Sequence, residues 1–369
     1  MYQSNIGEMK IYKHMEGKVK IEGFNEAPPI AKLVELGKTY YDSGEIISDL
    51  YLNWQYNDNP FGKPFFSLAI DNEKIVGQYI VIPIQYRHKG NIITGTLSLN
   101  TLTHPEYQGM GLFTKMAENT YEICRKHKVS FTVGFPNPLS FGGFIKKLNF
   151  KELGYCDLNI KILRPLHFVF NQLKKRKEKH GGDFSIDLFL QSPSNSQVSL
   201  LLPTDRELYD ELWEGISSNS QYFSVNKTWE FILWRYFDIP NRKYYAVKIM
   251  NENKITSLCI FRVEKVLGTN TAVVMDFLIK DGHENDARKL LKLLKNDLRK
   301  NKVNLVVIIS PVQRKIQKIL SKEFFFKVPR RFLPQPIPYI FLDHNFDSIM
   351  DGVDNFSNWE VCFGDYDIF

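Results

Sequence analysis

The chain of 369 residues has few cysteines, and they lie far apart. Its four cysteines, Cys124, Cys156, Cys259 and Cys362, form no C-x-x-C pair and have no clustered histidine partners. This spacing argues against a zinc site and against the disulfide framework of a small secreted protein. We therefore predict no metal site and a reducing cytoplasm as the location.

Long apolar runs and a strong excess of one charge are also missing. No apolar stretch approaches the ~20 residues that a membrane helix needs, so we expect a soluble protein with no membrane partner. The 48 basic and 41 acidic residues give a formal net charge of +7, which favours an anionic ligand only weakly. This balance does not by itself imply nucleic acid, and we predict no nucleic-acid partner.

What the sequence does contain is an alternation of strand and helix patterns in its first half. The order is β-α-βββ-α-β-α-β. The clearest helix starts at Leu112 and runs to about Lys126, since its apolar residues recur at helical spacing on one stripe. The other predicted helices cover 28–41 and 138–150, and the predicted strands cover 18–24, 65–71, 74–90, 91–104, 129–137 and 155–163.

The second half repeats the first. Three residues recur at an offset of 180, namely Trp54, Tyr56 and Pro60 as Trp234, Tyr236 and Pro240. The segment "KVSFTVGF" at 128–135 recurs as "KVNLVVII" at 302–309, at an offset of 174. One fold therefore occurs twice. The two tryptophans could line clefts, but their presence in both copies favours a packing role.

Composition suggests where one copy ends and the next begins. We predict a first domain at 1–164, a linker at 165–197, a second domain at 198–345 and a docked tail at 346–369. The linker contains the basic run "KKRKEKHGGD" at 174–183. No aromatic residues are interleaved with that run, so a solvated linker is favoured over a nucleic-acid patch.

The stretch "HPEYQGMGLFTKM" at 104–116 places Gly109 and Gly111 between a strand and a helix. Glycine costs roughly 1 kcal/mol in a helix interior, so this position suggests that a ligand approaches the backbone closely. A helix N-terminus offers unpaired N–H groups and partial positive charge, which suit a diphosphate. The second copy has Glu284 and Asp286 at its helix start, which would repel an anion. A simple tight turn is the alternative.

This arrangement resembles the GNAT superfamily of N-acetyltransferases over about residues 18–160. The family's Q/R-x-x-G-x-G/A loop holds the pyrophosphate of acetyl-coenzyme A, and Gln108 and Gly111 match it. The resemblance implies an α/β (α+β) fold of two tandem GNAT-like domains, each a mixed, mostly antiparallel sheet flanked by helices, the second being degenerate. It also implies acetyl-CoA as the co-substrate.

The resemblance further implies which residues bind the coenzyme. These are the end of the fourth strand, the loop with the first turn of its helix, and the N-x-x-A/S element of the next helix: Leu102, Thr103, Gln108, Gly109, Met110, Gly111, Leu112, Phe113, Thr114, Asn137 and Ser140. Two positions depart from the family. Phe113 replaces a glycine or alanine, and the expected helix tyrosine is replaced by Phe144 or Ile145, so no general acid is assigned.

The mechanism implied is direct attack of an amine on the thioester. Asn100, a polar residue in a central strand, is a candidate for the cleft, and a satisfied core hydrogen bond is the equal alternative. His104 is assigned to the turn. The aromatic tail contains Asp367 and ends in Phe369. Some tandem acetyltransferases of the enhanced-intracellular-survival type bring the chain end into the cleft as a base, so both are predicted catalytic residues, the alternative being a tail packed on domain two.

The acceptor is predicted to be a small amine. Seven aromatic residues that could stack on a sugar favour an amino sugar: Tyr40, Tyr41, Trp54, Tyr56, Phe61, Phe65 and Phe66. Two alternatives stay open. A non-catalytic acyl-CoA-binding protein is favoured by the missing helix tyrosine, whereas a Fem-type aminoacyl transferase generally lacks the diphosphate loop. The sequence predicts no oligomeric state.

Overall fold

The computed structural model describes most of the chain: residues 19–168, 186, 197–218, 220–266, 268–309, 314–333, 335–344 and 350–366. Some predicted features lie outside these residues. They are the basic run at 174–183 and the proposed catalytic residues Asp367 and Phe369.

The strands of the first half form a mixed sheet with helices on its faces. The strands are β1 (Lys20–Phe24), β2 (Phe65–Asp71), β3 (Lys74–His88), β4 (Asn91–Thr103), β5 (Phe131–Gly134) and β6 (Lys151–Tyr155). The helices are α1 (Ile30–Gly37), α2 (Asp49–Asn57), α3 (Leu112–Lys126) and α4 (Pro138–Lys147). The predicted bounds of α3 are confirmed. Helix α2 was not predicted, because its apolar residues follow no clear helical stripe.

The second half builds a second sheet of the same kind. Its strands are β7 (Leu158–Ile162), β8 (Val198–Leu200), β10 (Tyr245–Asn251), β11 (Lys254–Val266), β12 (Thr269–Ile279), β13 (Leu305–Ile309) and β14 (Phe326–Lys327). The two-residue strand β9 (Ser224–Val225) pairs instead with β3 of the first sheet. Its helices are α5 (Arg206–Ser217), α6 (Trp229–Ile232), α7 (Glu284–Lys300) and α8 (Arg314–Lys322). In both sheets one parallel pair, β4–β5 or β12–β13, stands among antiparallel neighbours.

The two halves of the chain contribute strands to each other's sheets. Strand β15 (Pro338–Asp343), from the second half, lies between β5 and β6 in the first sheet, whose order is β1-β2-β3-β4-β5-β15-β6. Strand β7, from the first half, lies between β13 and β14 in the second, whose order is β14-β7-β13-β12-β11-β10-β8. The prediction of two tandem domains therefore needs this addition: each half completes the other's sheet.

The two sheets share a large core. One hydrophobic cluster joins the inner faces of both sheets, and it includes Trp54, Trp234, Trp359 and Tyr366. Separate clusters lie between the first sheet and α3 and α4, and between the second sheet and α7 and α8. The layers run helix, sheet, shared core, sheet, helix.

The repeated tryptophans meet at the centre of the shared core. The rings of Trp54 and Trp234 stack with centroids 4.9 Å apart and an interplanar angle of 18°. The indole N–H of Trp54 donates to the Trp234 carbonyl at 2.7 Å, and that of Trp234 donates to the Trp54 carbonyl at 2.9 Å. The packing role predicted for this pair is confirmed, and the reciprocal bonds mark a local two-fold relation between the halves.

We expect Trp54→Phe and Trp234→Phe each to lower the free energy of unfolding by about 1–3 kcal/mol, because each leaves one buried carbonyl without its donor. Urea denaturation measures the change. Trp229→Phe is the control, since Trp229 is equally buried but its indole has no hydrogen-bond acceptor among the described residues. Equal losses in all three variants would contradict the special role of the pair.

Candidate functional site

The first sheet opens a cleft where β4 leaves β5. Their parallel pairing runs from Gly95 opposite Phe131 to Ser98 opposite Gly134 and then stops. Just beyond this pairing, β4 contains a β-bulge. Gln78 of β3 pairs with Leu102 and Ile80 pairs with Leu99, so an advance of two residues along β3 corresponds to three along β4. A bulge leaves an extra residue outside the ladder and bends the strand, which turns backbone groups of β4 into the cleft.

Asn100 occupies the bulge in a left-handed conformation, with φ +49°. Its side-chain amide donates to Gln55 Oε1 at 2.5 Å and to Tyr56 Oη at 2.8 Å, and its carbonyl accepts from Gln78 Nε2 at 2.7 Å. Asparagine tolerates this backbone region better than most residues. Both amide hydrogens serve to hold the bulge, which is the core hydrogen-bond alternative that the sequence left open.

A cavity of about 250 Å³ fills the cleft. Ser98–Leu102 of β4 form one wall and Gly134–Asn137 after β5 form the other, with Tyr41, Ile46, Ser140 and Phe144 closing the ends. Leu102, Asn137 and Ser140, three of the predicted coenzyme residues, therefore lie around one space. Sequence reasoning missed Ile46 and Phe135, because only the fold brings them to the cleft; Tyr41 is one of the residues that the sequence indicates could stack on a sugar.

The loop after β4 is fixed by local hydrogen bonds. His104 Nδ1 accepts from the Glu106 N–H at 3.3 Å, so His104 caps the short turn Pro105–Tyr107, as assigned from the sequence. The Tyr107 hydroxyl donates to Asp71 Oδ2 at 2.7 Å. This hydrogen bond, together with burial, raises the pKa of Tyr107 to about 12. The turn is thereby held against the end of β2.

The N-terminus of α3 is open. Gly111 is its N-cap in a left-handed conformation with φ +73°, and Gly109 has φ +81°. A Cβ added at either glycine would meet nothing within 4 Å. No side chain caps the helix, no acidic residue stands in its first turn, and the Lys115 N–H is the first to bond to a loop carbonyl, that of Gly111. The preceding N–H groups can therefore bind an anion.

Gln108 links this loop to the cleft through Tyr40. Gln108 Nε2 donates to Tyr40 Oη at 2.6 Å, and the Tyr40 hydroxyl donates to the Thr103 carbonyl. Partial burial raises the pKa of Tyr40, although the bond from Gln108 opposes this. Tyr40 thus fixes the end of β4 relative to the glycine loop. Sequence reasoning missed this role, since nothing in the pattern connects residues 40 and 108.

The remaining predicted coenzyme residues follow the same elements. Met110 is exposed beside the glycines, Thr114 is half-buried in the first turn of α3, and Leu112 is buried against the sheet. Phe113 packs edge-on against Tyr79 and Phe144, which explains why a large ring fits where the family has glycine or alanine.

Helix α4 begins at the mouth of the cavity. Asn137 is its N-cap, and its Oδ1 accepts from the N–H groups of Leu139 and Ser140, both at 3.0 Å. Of Phe144 and Ile145, the two candidates for the position without a tyrosine, Phe144 is the one that is buried and lines the cavity. Phe144 has no hydroxyl group, so it can shape the cavity wall but cannot donate a proton.

The second copy keeps this geometry and changes its chemistry. Two residues past the parallel pairing, where the first copy has Asn100, the second carries Asp276, which accepts from the Tyr236 hydroxyl. Asp276 pairs with Ile260, and Met275 is the extra residue of this bulge. Arg235 stands where Gln55 is, at the offset of 180. Lys227 Nζ forms ion pairs with Asp276 Oδ1 at 2.6 Å and with Asp365 Oδ1 of the tail at 2.9 Å. Burial alone would lower the pKa of Lys227, but the two carboxylates outweigh it and keep that pKa well above its ordinary value.

The tail fills most of the second cleft, where a cavity of about 50 Å³ is left. In the tail, Cys362 Sγ donates to Asp276 Oδ1 at 3.0 Å and accepts from Lys227 Nζ at 3.1 Å. The first turn of α7 carries the acidic residues Glu284 and Asp286. A diphosphate would meet negative charge at that helix start, as the sequence predicted. Of the two clefts, the first is the one suited to an anionic ligand.

The sugar-stacking surface expected from seven aromatic residues is not present as such. Four of the side chains, those of Trp54, Tyr56, Phe65 and Phe66, are buried in the cores. Phe61 stacks on Phe231 with ring centroids 5.7 Å apart. Only Tyr40 and Tyr41 of this group are substantially exposed. The buried rings fill the cores beneath the strands and helices that carry them, so they are not available to stack on a sugar.

Within the described residues, no helix has the length and apolar character needed to cross a membrane. The same part of the chain holds no group of three or more His, Cys, Asp or Glu side chains arranged for a metal ion.

Comparisons with known proteins agree on the fold. A structure of a GCN5-related N-acetyltransferase from Anabaena variabilis superposes with a TM-score of 0.61 at 12% identity, covering 88% of this chain and 73% of that one. The structure of Saccharomyces cerevisiae N-myristoyltransferase with bound myristoyl-CoA superposes with a TM-score of 0.56 at 10% identity, covering 88% of this chain and 79% of that one. A probable N-acyltransferase from Enterococcus faecalis gives 0.60 at 10% identity, covering 89% and 73%.

The sequence comparisons are more restricted. No curated protein sequence matches the chain at a significant level. The family described as acetyltransferase (GNAT) domain matches residues 38–152, which include the bulge, the cavity and the glycine loop. Residues 38–152 thus match the GNAT acetyltransferase domain family, and they lie within a tandem of two sheets whose fold is similar to that of the N-acyltransferase structures.

Proposed function

We propose that the protein is an acyl-CoA-dependent N-acyltransferase that transfers an acetyl group to a small amine. The observation that carries the proposal is the open N-terminus of α3 beside the cavity between β4 and β5. Tyr40 holds the two together through Gln108 and the Thr103 carbonyl. Diphosphate and thioester would then bind at the two ends of one continuous site.

The residues suggest how the coenzyme would be held. The N–H groups of 109–114 would bind the diphosphate, which gains from the helix dipole and needs the space left by Gly109 and Gly111. The main chain of Leu102 and Thr103 and the cap residue Asn137 would hold the pantetheine arm along the cavity. The amide group of Asn137 is exposed and half-engaged by its own helix, so it has donors left for a ligand.

The reaction proposed is direct transfer. The amine nitrogen attacks the thioester carbonyl, the C–N bond forms, the C–S bond breaks, and the coenzyme leaves as a thiolate while the amine loses a proton. Backbone N–H groups of β4 at the bulge would stabilise the oxyanion, because Asn100 fixes their direction. We propose Asn100 as a positioning residue and keep Asp367 and Phe369 of the tail as the proposed source of a base.

For the acceptor, we propose only its chemical class, a small amine. Tyr40 and Tyr41 are the two exposed rings near the cavity, so an amino sugar is one acceptor to test. The free cysteines Cys124, Cys156 and Cys259 are buried, which suits a reducing cytoplasm.

A binding-only protein is the second candidate, because Phe144 stands where the family has a tyrosine. Incubation with acetyl-CoA and a panel of amino sugars, polyamines and amino acids distinguishes the two. Amine-dependent release of free CoA thiol supports transfer, while tight binding of acetyl-CoA without release across the panel supports binding alone. Absence of acetyl-CoA binding contradicts both.

We expect Gly111→Asp to bind CoA about tenfold more weakly than Gly111→Asn, since its carboxylate repels the diphosphate at the helix mouth. The two side chains have the same size and both tolerate a positive φ, so the pair isolates the charge. Isothermal titration at low salt measures the dissociation constants. Equal constants would show that the phosphates bind elsewhere.

We expect Tyr40→Phe to weaken CoA binding by about three- to tenfold, because the loss of roughly 1 kcal/mol per hydrogen bond loosens the loop. The same titration measures it. Tyr155→Phe, which removes a hydroxyl bonded to Glu152 in β6, is the control and should bind CoA like the wild type. A Tyr40→Phe protein with unchanged affinity would remove Tyr40 from the site.

A further inference from the structure

The inner end of the coenzyme cavity is closed by a single aromatic residue. Phe135 follows Gly134, the last β5 residue paired with β4. It lines the cavity of about 250 Å³, and on its other side it lines a small interior cavity of about 10 Å³. Phe135 is therefore the partition between the cleft and the shared core.

Behind this partition the space is nearly full. The cavity behind Phe135 shares Tyr86, Val225 and Asp365 with a neighbouring cavity of about 30 Å³. Together they have room for about two or three water molecules. An acyl chain that extended past Phe135 would have to displace core side chains, which costs free energy in a close-packed interior.

The partition is supported by residues from the far end of the chain. The Phe135 ring lies 4.7 Å from that of Tyr366 in the tail and 5.1 Å from that of Tyr339 in β15, centroid to centroid. All three side chains are less than a tenth exposed. The first domain's cavity is thus backed by a strand and a tail segment of the second half.

Tyr366 is itself firmly anchored. Arg235 donates to the Gly364 carbonyl at 3.0 Å and to the Tyr366 carbonyl at 2.9 Å. Between them, Asp365 pairs with Lys227 and accepts from the Cys362 N–H at 2.9 Å. A Cβ on Gly364 would clash with Tyr236 Oη and with Asp276. The tail cannot shift without breaking a buried charge cluster, and this keeps Phe135 from rotating away.

We propose that Phe135, held in place by Tyr366, sets the length of the acyl group and admits acetyl-sized groups while excluding longer chains. The inference rests on the proposed function and deepens it. The proposed function puts the thioester carbonyl at the β4 bulge; Phe135 lies on the opposite β5 wall of the cavity, where the acyl group would meet it. Phe135 is a specificity-determining residue, and the degenerate second domain acts by supporting it.

The test compares the dissociation constants of acetyl-CoA, hexanoyl-CoA and myristoyl-CoA by isothermal titration. We expect wild-type protein to bind hexanoyl-CoA about tenfold or more weakly than acetyl-CoA, as extra methylenes are excluded from a closed pocket. Phe135→Ala joins the cavity to the space behind it and should reduce this ratio to about threefold or less. Phe135→Leu is a milder variant, with an intermediate ratio expected.

Phe261→Ala is the control, because Phe261 is fully buried in the second domain and lines none of these cavities. It should lose stability but keep the wild-type ratio. Equal affinity of wild-type protein for acetyl-CoA and hexanoyl-CoA, or an unchanged ratio in both Phe135 variants, overturns the inference alone. Failure of the wild-type protein to bind any CoA ester overturns the proposed function and the inference with it.

Discussion

The exchange of β7 and β15 between the two sheets is the constraint on which the rest of the structure depends. β15 bonds to the outer edge of β5, so β5 keeps its ladder on that side while its pairing with β4 stops at Ser98 and Gly134. A cleft can therefore open inside the sheet without leaving β5 at a free edge. Because β15 belongs to the second half, the cleft of the first domain does not form without the second.

The repeat explains why the first cleft is open and the second is mostly filled. Both halves keep the parallel pair, a bulge and a hydroxyl bonded two residues past that pair, as Tyr56 with Asn100 and Tyr236 with Asp276. Where the first copy has an amide the second has a carboxylate, which Lys227 neutralises next to the tail. Burying these charges is tolerable only because they are paired. The second half supports the first through β15 and the tail segment at Tyr366.

Much of the fold and the glycine loop could be predicted from the sequence, because the spacing of apolar residues and the residues of tight turns are local features. The stripe from Leu112 fixed α3, and the offset of 180 between Trp54 and Trp234 revealed the repeat. The strand exchange could not be predicted, since Leu158–Ile162 and Pro338–Asp343 have patterns that fit either sheet. Tyr56, Phe65 and Phe66 were named as residues that could stack on a sugar, because aromatic content alone does not distinguish a core from a cleft. Tyr40 and Phe135 gained their roles from contacts more than 60 and 200 residues away.

The central claim is that the main-chain amides around Gly109 and Gly111 bind a diphosphate. A crystal structure of the protein with CoA tests it most directly. The account predicts both phosphates within hydrogen-bonding distance of the N–H groups of 109–114, with the pantetheine arm between β4 and β5. Phosphates bound at any other surface, or a side chain filling the start of α3, would contradict it.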